Sequence, residues 1–119
     1  MNASEIRSID FVFRFWRDRT AGQTYHGGFV LINYGMEDAR VLSIPYQWGG
    51  HSMAEQNGWL AVWELCGMDT RRSYAYSETS GLKRLPDGTK VIFRSIDRGF
   101  CTSRELSRWC NLPHMAFNG

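Results

Sequence analysis

The sequence predicts an α+β fold, a mainly antiparallel sheet of about five strands with two helices, around 53–66 and 103–110, in a single domain spanning 1–119. Three observations carry that expectation. Bulky apolar residues alternate with period two from Ile9 to Phe15 and face a second extended run after a short charged turn. Two stretches, Ser52-Met53-Ala54-Glu55 and Thr102-Ser103-Arg104-Glu105, have the spacing of a capping box just ahead of apolar residues at helical intervals. Between them, Pro86-Asp87-Gly88-Thr89 is a strong turn signal.

Taken in order, Ile9 to Tyr34 reads as one long hairpin. Its first arm puts Ile9, Phe11, Phe13 and Phe15 on one face and Asp10, Val12, Arg14 and Trp16 on the other. The turn is Arg17 to Gly22 and the return arm is Thr24 to Tyr34, interrupted by Gly27-Gly28, which reads as a β-bulge. A third strand, Ala39 to Tyr46, places Leu42, Ile44 and Tyr46 on one face; Pro45 lacks an amide donor, so this strand ends there or lies at a sheet edge. Gln47 to His51 reads as a loop. The helix that follows aligns Trp59, Leu60, Trp63 and Cys66 and stops at Gly67; Gly58 in its interior dissents, and Trp59 to Trp63 also has the composition of a strand, but the cap signals at both ends favour helix. Arg71 to Ser77 is a short strand, Leu82 to Leu85 leads into the turn at Pro86, and Lys90 to Ile96 is the last strand. The final helix turns Leu106, Trp109 and Cys110 inward, with Asn111 and Pro113 as stops.

A chain of 119 residues can bury a core without metals or disulfides. A formal net charge of +2 is too small for a dedicated nucleic-acid binder. The cations are nearly all arginine, Lys83 and Lys90 being the exceptions, and arginine favours planar, bidentate contacts and stacking. Cys66, Cys101 and Cys110 form no C-x-x-C pair and read as reduced thiols, and Met1 to Arg7 has no apolar signal core, so a cytoplasmic protein is expected. No two of His26, His51, His114 and the cysteines stand at ligand spacing, so neither a metal nor another cofactor is expected.

Asp18-Arg19-Thr20-Ala21-Gly22-Gln23-Thr24-Tyr25-His26 resembles the D-R-x-x-x-N-T-Y-H segment of a group of small, largely uncharacterised bacteriophage proteins. In that group a strand, a Y-G-Y-G loop and a helix follow; the counterpart here is Tyr46-Gln47-Trp48-Gly49-Gly50 ahead of Ser52. The likeness covers the first half of the chain, with Gln23 in place of Asn and Gln47 in place of the first loop glycine. It implies a phage or mobile-element origin and a small α+β fold, and it supplies no catalytic residues.

The candidate binding residues are Arg17, Arg19, Tyr25, His26, Trp48, Arg71 and Arg72, which place arginine beside aromatic rings at the hairpin tip, in the loop after the third strand, and in the 71–77 strand. The expected function is a non-enzymatic interaction protein that binds and modulates a host macromolecular complex, for example as a host-defence inhibitor of the anti-CRISPR or anti-restriction kind. Its partner is then a host or phage protein or nucleoprotein, with no membrane. A second reading is nucleic-acid binding through the arginine and aromatic strands, and a third is a small enzyme centred on Cys101 or His26.

Overall fold

The computed structural model describes residues 1–70 and 81–111, so the strand expected at 71–77 and the tail from His114 lie outside the described residues. The elements run β1 (Ser8–Asp18), β2 (Gln23–Ile32), β3 (Arg40–Trp48), α1 (His51–Leu65), β4 (Gly81–Arg84), β5 (Lys90–Phe100) and α2 (Ser103–Cys110). They form the expected α+β architecture, a five-stranded sheet in the order β3-β2-β1-β5-β4. All neighbours pair antiparallel except β1 and β5, which run parallel through the centre.

The central hairpin follows the alternation in its sequence. Ile9, Phe11, Phe13 and Phe15 turn to the face covered by α1, where they bury with Val30, Ile32, Val91, Phe93, Trp59, Val62 and Trp63. Val12 turns the other way, to a smaller cluster with Phe29, Leu31, Ile96 and Trp109 under α2. Gly58 is explained by this packing: a Cβ there would lie 2.8 Å from the Phe11 ring, so the glycine lets α1 sit against the sheet. The 59–63 stretch is helical, as the cap signals indicated.

Asn33 locks the hairpin's open end. It adopts φ +53°, is fully buried, and accepts hydrogen bonds from the amides of Arg7 (2.7 Å) and Ser8 (3.2 Å). Its side-chain amide donates to the Glu5 carbonyl at 3.0 Å and to Asp38 at 3.2 Å.

Several boundaries differ from the expectation, each for a physical reason. α1 starts at His51, and its cap residue Gly50 has no side chain with which to make a capping bond; Glu55, expected in a capping box with Ser52, accepts a 2.6 Å bond from Ser95 on β5. β3 continues through Pro45 to Trp48, which the sheet edge and a bulge permit. β4 occupies the stretch read as a lead-in to the turn, and β5 runs on past Ile96 to Phe100.

The bulges fall in one row. Between Gly28 and His26 on β2, β3 spends one residue more, with Pro45 and Tyr46 opposite Gly27; the extra residue therefore lies on β3, not at Gly27-Gly28. Between Phe13 and Phe15 on β1, β5 also spends one more, at Arg98 and Gly99, where Gly99 has φ +82°. Arg14 and Gly27 are directly paired, so both flanking strands reset at the same level. The reset moves Tyr46 off the face of Leu42 and Ile44, contrary to simple alternation, and stacks it on Tyr25 at 5.6 Å.

Candidate functional site: the hairpin tip and its two grooves

Beyond the bulge row the sheet projects a tip built from Phe15 to Asp18, Gln23 to His26, Gln47-Trp48 and Phe100. On the α2 side three rings lie nearly flat on one another, Trp16 against Tyr25 at 5.0 Å and Tyr25 against Tyr46. The Tyr46 hydroxyl shares a 3.0 Å hydrogen bond with Ser103 at the start of α2. Arg14 lies over the Trp109 ring at 5.7 Å and 4.0 Å from Glu105, so its charge is spent inside this face. Gly27 is required here, since a Cβ would run into the Cys110 sulfur.

On the α1 side two histidines bracket the Gly49-Gly50 turn. His26 is fully buried; its Nδ1 donates to the Gly49 carbonyl at 2.8 Å, which leaves Nε2 to accept from Asn57 at 3.1 Å. Burial holds its pKa below the ordinary histidine value despite the bond to Gly49. His51, at the first position of α1, stacks on Phe15 at 4.0 Å and bonds Asp97 through Nε2 at 2.7 Å. Burial pushes the Asp97 carboxyl up, but the hydrogen bonds from His51 and the Gly99 amide outweigh it and hold the pKa below the ordinary carboxylate value.

Two open grooves flank the tip. One, of about 480 Å³, is lined by residues including Thr24, Trp48, Gly49, His51 and Met53. The other, of about 250 Å³, is lined by Trp16, Arg17, Arg19, Phe100 and Cys101. Each groove displays a ring to solvent: Trp48 is 57% exposed and Phe100 59%. Trp48 is held in place by its indole N–H, which bonds the Gln23 side chain. Arg17 and Arg19 are exposed and, among the described residues, neither guanidinium has a hydrogen bond or ion pair. Asp18 between them is turned away, its carboxylate accepting the Thr20 and Ala21 amides.

The expected site residues thus separate. Arg17, Arg19 and Trp48 stand on the surface of the tip, Tyr25 is half-buried in the ring stack, and His26 lies wholly behind the surface. Arg71 and Arg72 lie outside the described residues. Sequence reasoning missed Trp16, Tyr46, Asp97 and Phe100 as members of this end. For Asp97 a signal existed: Asp97-Arg98-Gly99 is an aspartate with a glycine two residues on, the composition of a side-chain-stabilised turn.

Burial raises the pKa of each cysteine thiol, Cys110 to about 11, where the nearby Cys101 adds to burial. Among the described residues no group of three or more His, Cys, Asp or Glu is arranged to hold a metal ion, and no helix is long and apolar enough to cross a membrane. No family model matches the chain, and no curated protein or solved structure matches it either.

Proposed function

We propose that this protein is a non-enzymatic interaction module that binds and modulates a host macromolecular complex through the hairpin tip. The observation that carries the reading is the coincidence, at one end of the sheet, of two solvent-exposed rings, Trp48 and Phe100, with two guanidiniums, Arg17 and Arg19, that are unengaged among the described residues. Tryptophan and arginine dominate binding hot spots, and these are held on strands and a short turn, so little order has to be gained on binding. Two further facts support it. His26 has both ring nitrogens occupied inside the fold, and the thiols are shifted away from the reactive thiolate. With the phage-like segment at the same tip, an inhibitor of a host defence system is the concrete form of this role.

Alanine at Trp48, Arg17 or Arg19 is expected to weaken capture of a protein partner from host lysate by tenfold or more, about 1.4 kcal/mol, with unchanged melting temperature. Undiminished capture by the triple variant would sink the assignment to the tip. The rival reading, nucleic-acid binding, draws on the same arginines and predicts a steep loss of affinity with salt. The stack of Trp16, Tyr25 and Tyr46 tells against it, because the faces these rings turn to one another are already covered and Tyr25 in the middle has neither face left for a base.

A further inference from the structure

We infer that the groove between β1 and the end of β5 is a receptor for an acidic side chain of an extended peptide, with an apolar neighbour of that side chain seated on Phe100. This rests on the tip being the binding surface and adds the chemistry of what it holds. The groove combines charge with apolar surface: Arg17 and Arg19 line it together with Trp16, Phe100 and Cys101. Arg17 stands one residue before the end of β1 and Arg19 opens the turn that follows, and both line this one groove, so two planar donors are available to a carboxylate placed in it.

Both guanidiniums are unengaged among the described residues, whereas their neighbours are occupied. Arg14 is committed to Trp109 and Glu105, Asp18 to the turn amides, and Asp97 to His51 and Gly99. Among the described residues the tip therefore leaves two positive charges unanswered beside an exposed ring. An exposed arginine pair next to apolar surface is complementary to a glutamate or aspartate flanked by a hydrophobic residue.

A phosphate backbone fits less well for two reasons. Nucleic acid needs a continuous basic track, and Glu105 lies near the groove residue Cys101 while the whole chain carries only +2. The groove, about 250 Å³, is also the size of one or two side chains rather than a strand with splayed bases.

The test is fluorescence anisotropy with three labelled probes: a short peptide alternating glutamate and leucine, the same peptide with lysine for glutamate, and oligothymidylate. The glutamate peptide should bind the wild type and the lysine peptide should not. The double variant Arg17→Ala/Arg19→Ala should lose roughly tenfold or more in affinity, Phe100→Ala somewhat less, and Arg17→Lys/Arg19→Lys should recover only part of the loss. All the altered side chains are exposed, and melting curves check that each variant is folded. Equal binding of the lysine peptide, tighter binding of oligothymidylate, or no binding of the glutamate peptide overturns the inference. The broader reading is judged separately by Trp48→Ala in partner capture: if capture still depends on Trp48 while the glutamate peptide fails, only the groove's chemistry is wrong. If capture ignores Trp48, Arg17 and Arg19 alike, the tip is not the binding surface.

Discussion

Replacing Asn33 tests whether one side chain holds the hairpin's open end to the chain entering it. Alanine there removes the acceptor for the Arg7 and Ser8 amides and the donor to the Glu5 carbonyl. Leaving two partly buried amides without a partner costs about 1 kcal/mol each at the lower end of the usual range. The left-handed backbone at φ +53° adds about 1 kcal/mol for a residue with a plain Cβ. The expected loss for Asn33→Ala is therefore about 3 kcal/mol. Asn33→Gly removes the same bonds but tolerates the backbone, so it should lose about 2 kcal/mol. Equilibrium urea denaturation followed by tryptophan fluorescence reads this directly. With a slope of about 1.5 kcal/mol per molar, the midpoint should fall by about 2 M for alanine. An alanine variant within about 0.5 kcal/mol of wild type, a difference typical of a neutral surface change, would refute the reasoning. A glycine variant no more stable than the alanine one would remove the backbone contribution.

Gly58→Ala raises helix propensity by about 1 kcal/mol, yet the new Cβ meets the Phe11 ring at 2.8 Å. Overpacking of that kind costs about 1–3 kcal/mol, so the variant should melt lower than wild type, and a higher melting temperature would show that α1 can shift away freely. His26 has a folded pKa below its unfolded value, so the unfolded chain takes up the proton first as pH falls. Its contribution is complete above the unfolded value, near 6.5, and is progressively lost as pH drops toward the lowered folded pKa. Urea midpoints measured from pH 7.5 down to 5 should decline more steeply in wild type than in His26→Gln, with a ceiling of about 1.4 kcal/mol per pH unit for one proton. Parallel declines would exclude His26 as the source.

What could be read from the chain was mostly what is local. The two faces of β1 followed from period-two alternation of bulky residues, and α2 from its cap and stripe, because both signals sit within a few residues of their consequence. The parallel pairing of β1 with β5 brings Ile9 beside Phe93, and nothing near either residue announces a partner so far along the chain. Ser52 and Glu55 showed how a local signal can be outbid: Glu55 has a tertiary partner in Ser95, and the helix begins one residue ahead of Ser52. At the tip, Arg17, Arg19 and Trp48 were visible because charge and tryptophan in a turn have no packing explanation. Phe100 was not, because β5 was read as ending at Ile96, before the bulge that carries it onward. Beside two glycines, His26 could be read either as part of a recognition surface or as satisfying polar groups nearby, and the fold makes it the second, with the Gly49 carbonyl and Asn57 as partners that nothing local announces.

The paired resets on β3 and β5 separate two kinds of evolutionary freedom. Below Arg14 and Gly27, every side chain's inward or outward assignment is tied to the helices, and a one-residue slip would turn the core inside out. Above that row the count starts afresh on the two flanks, so Trp48 and Phe100 keep a parity of their own, while β1 and β2 carry theirs through unbroken. Lengthening the 19–22 turn, or exchanging the side chains around it, leaves the interior arithmetic untouched. The sheet is in effect a handle with an interchangeable bit, whose exposed end can change its side chains while the fold beneath it stays the same.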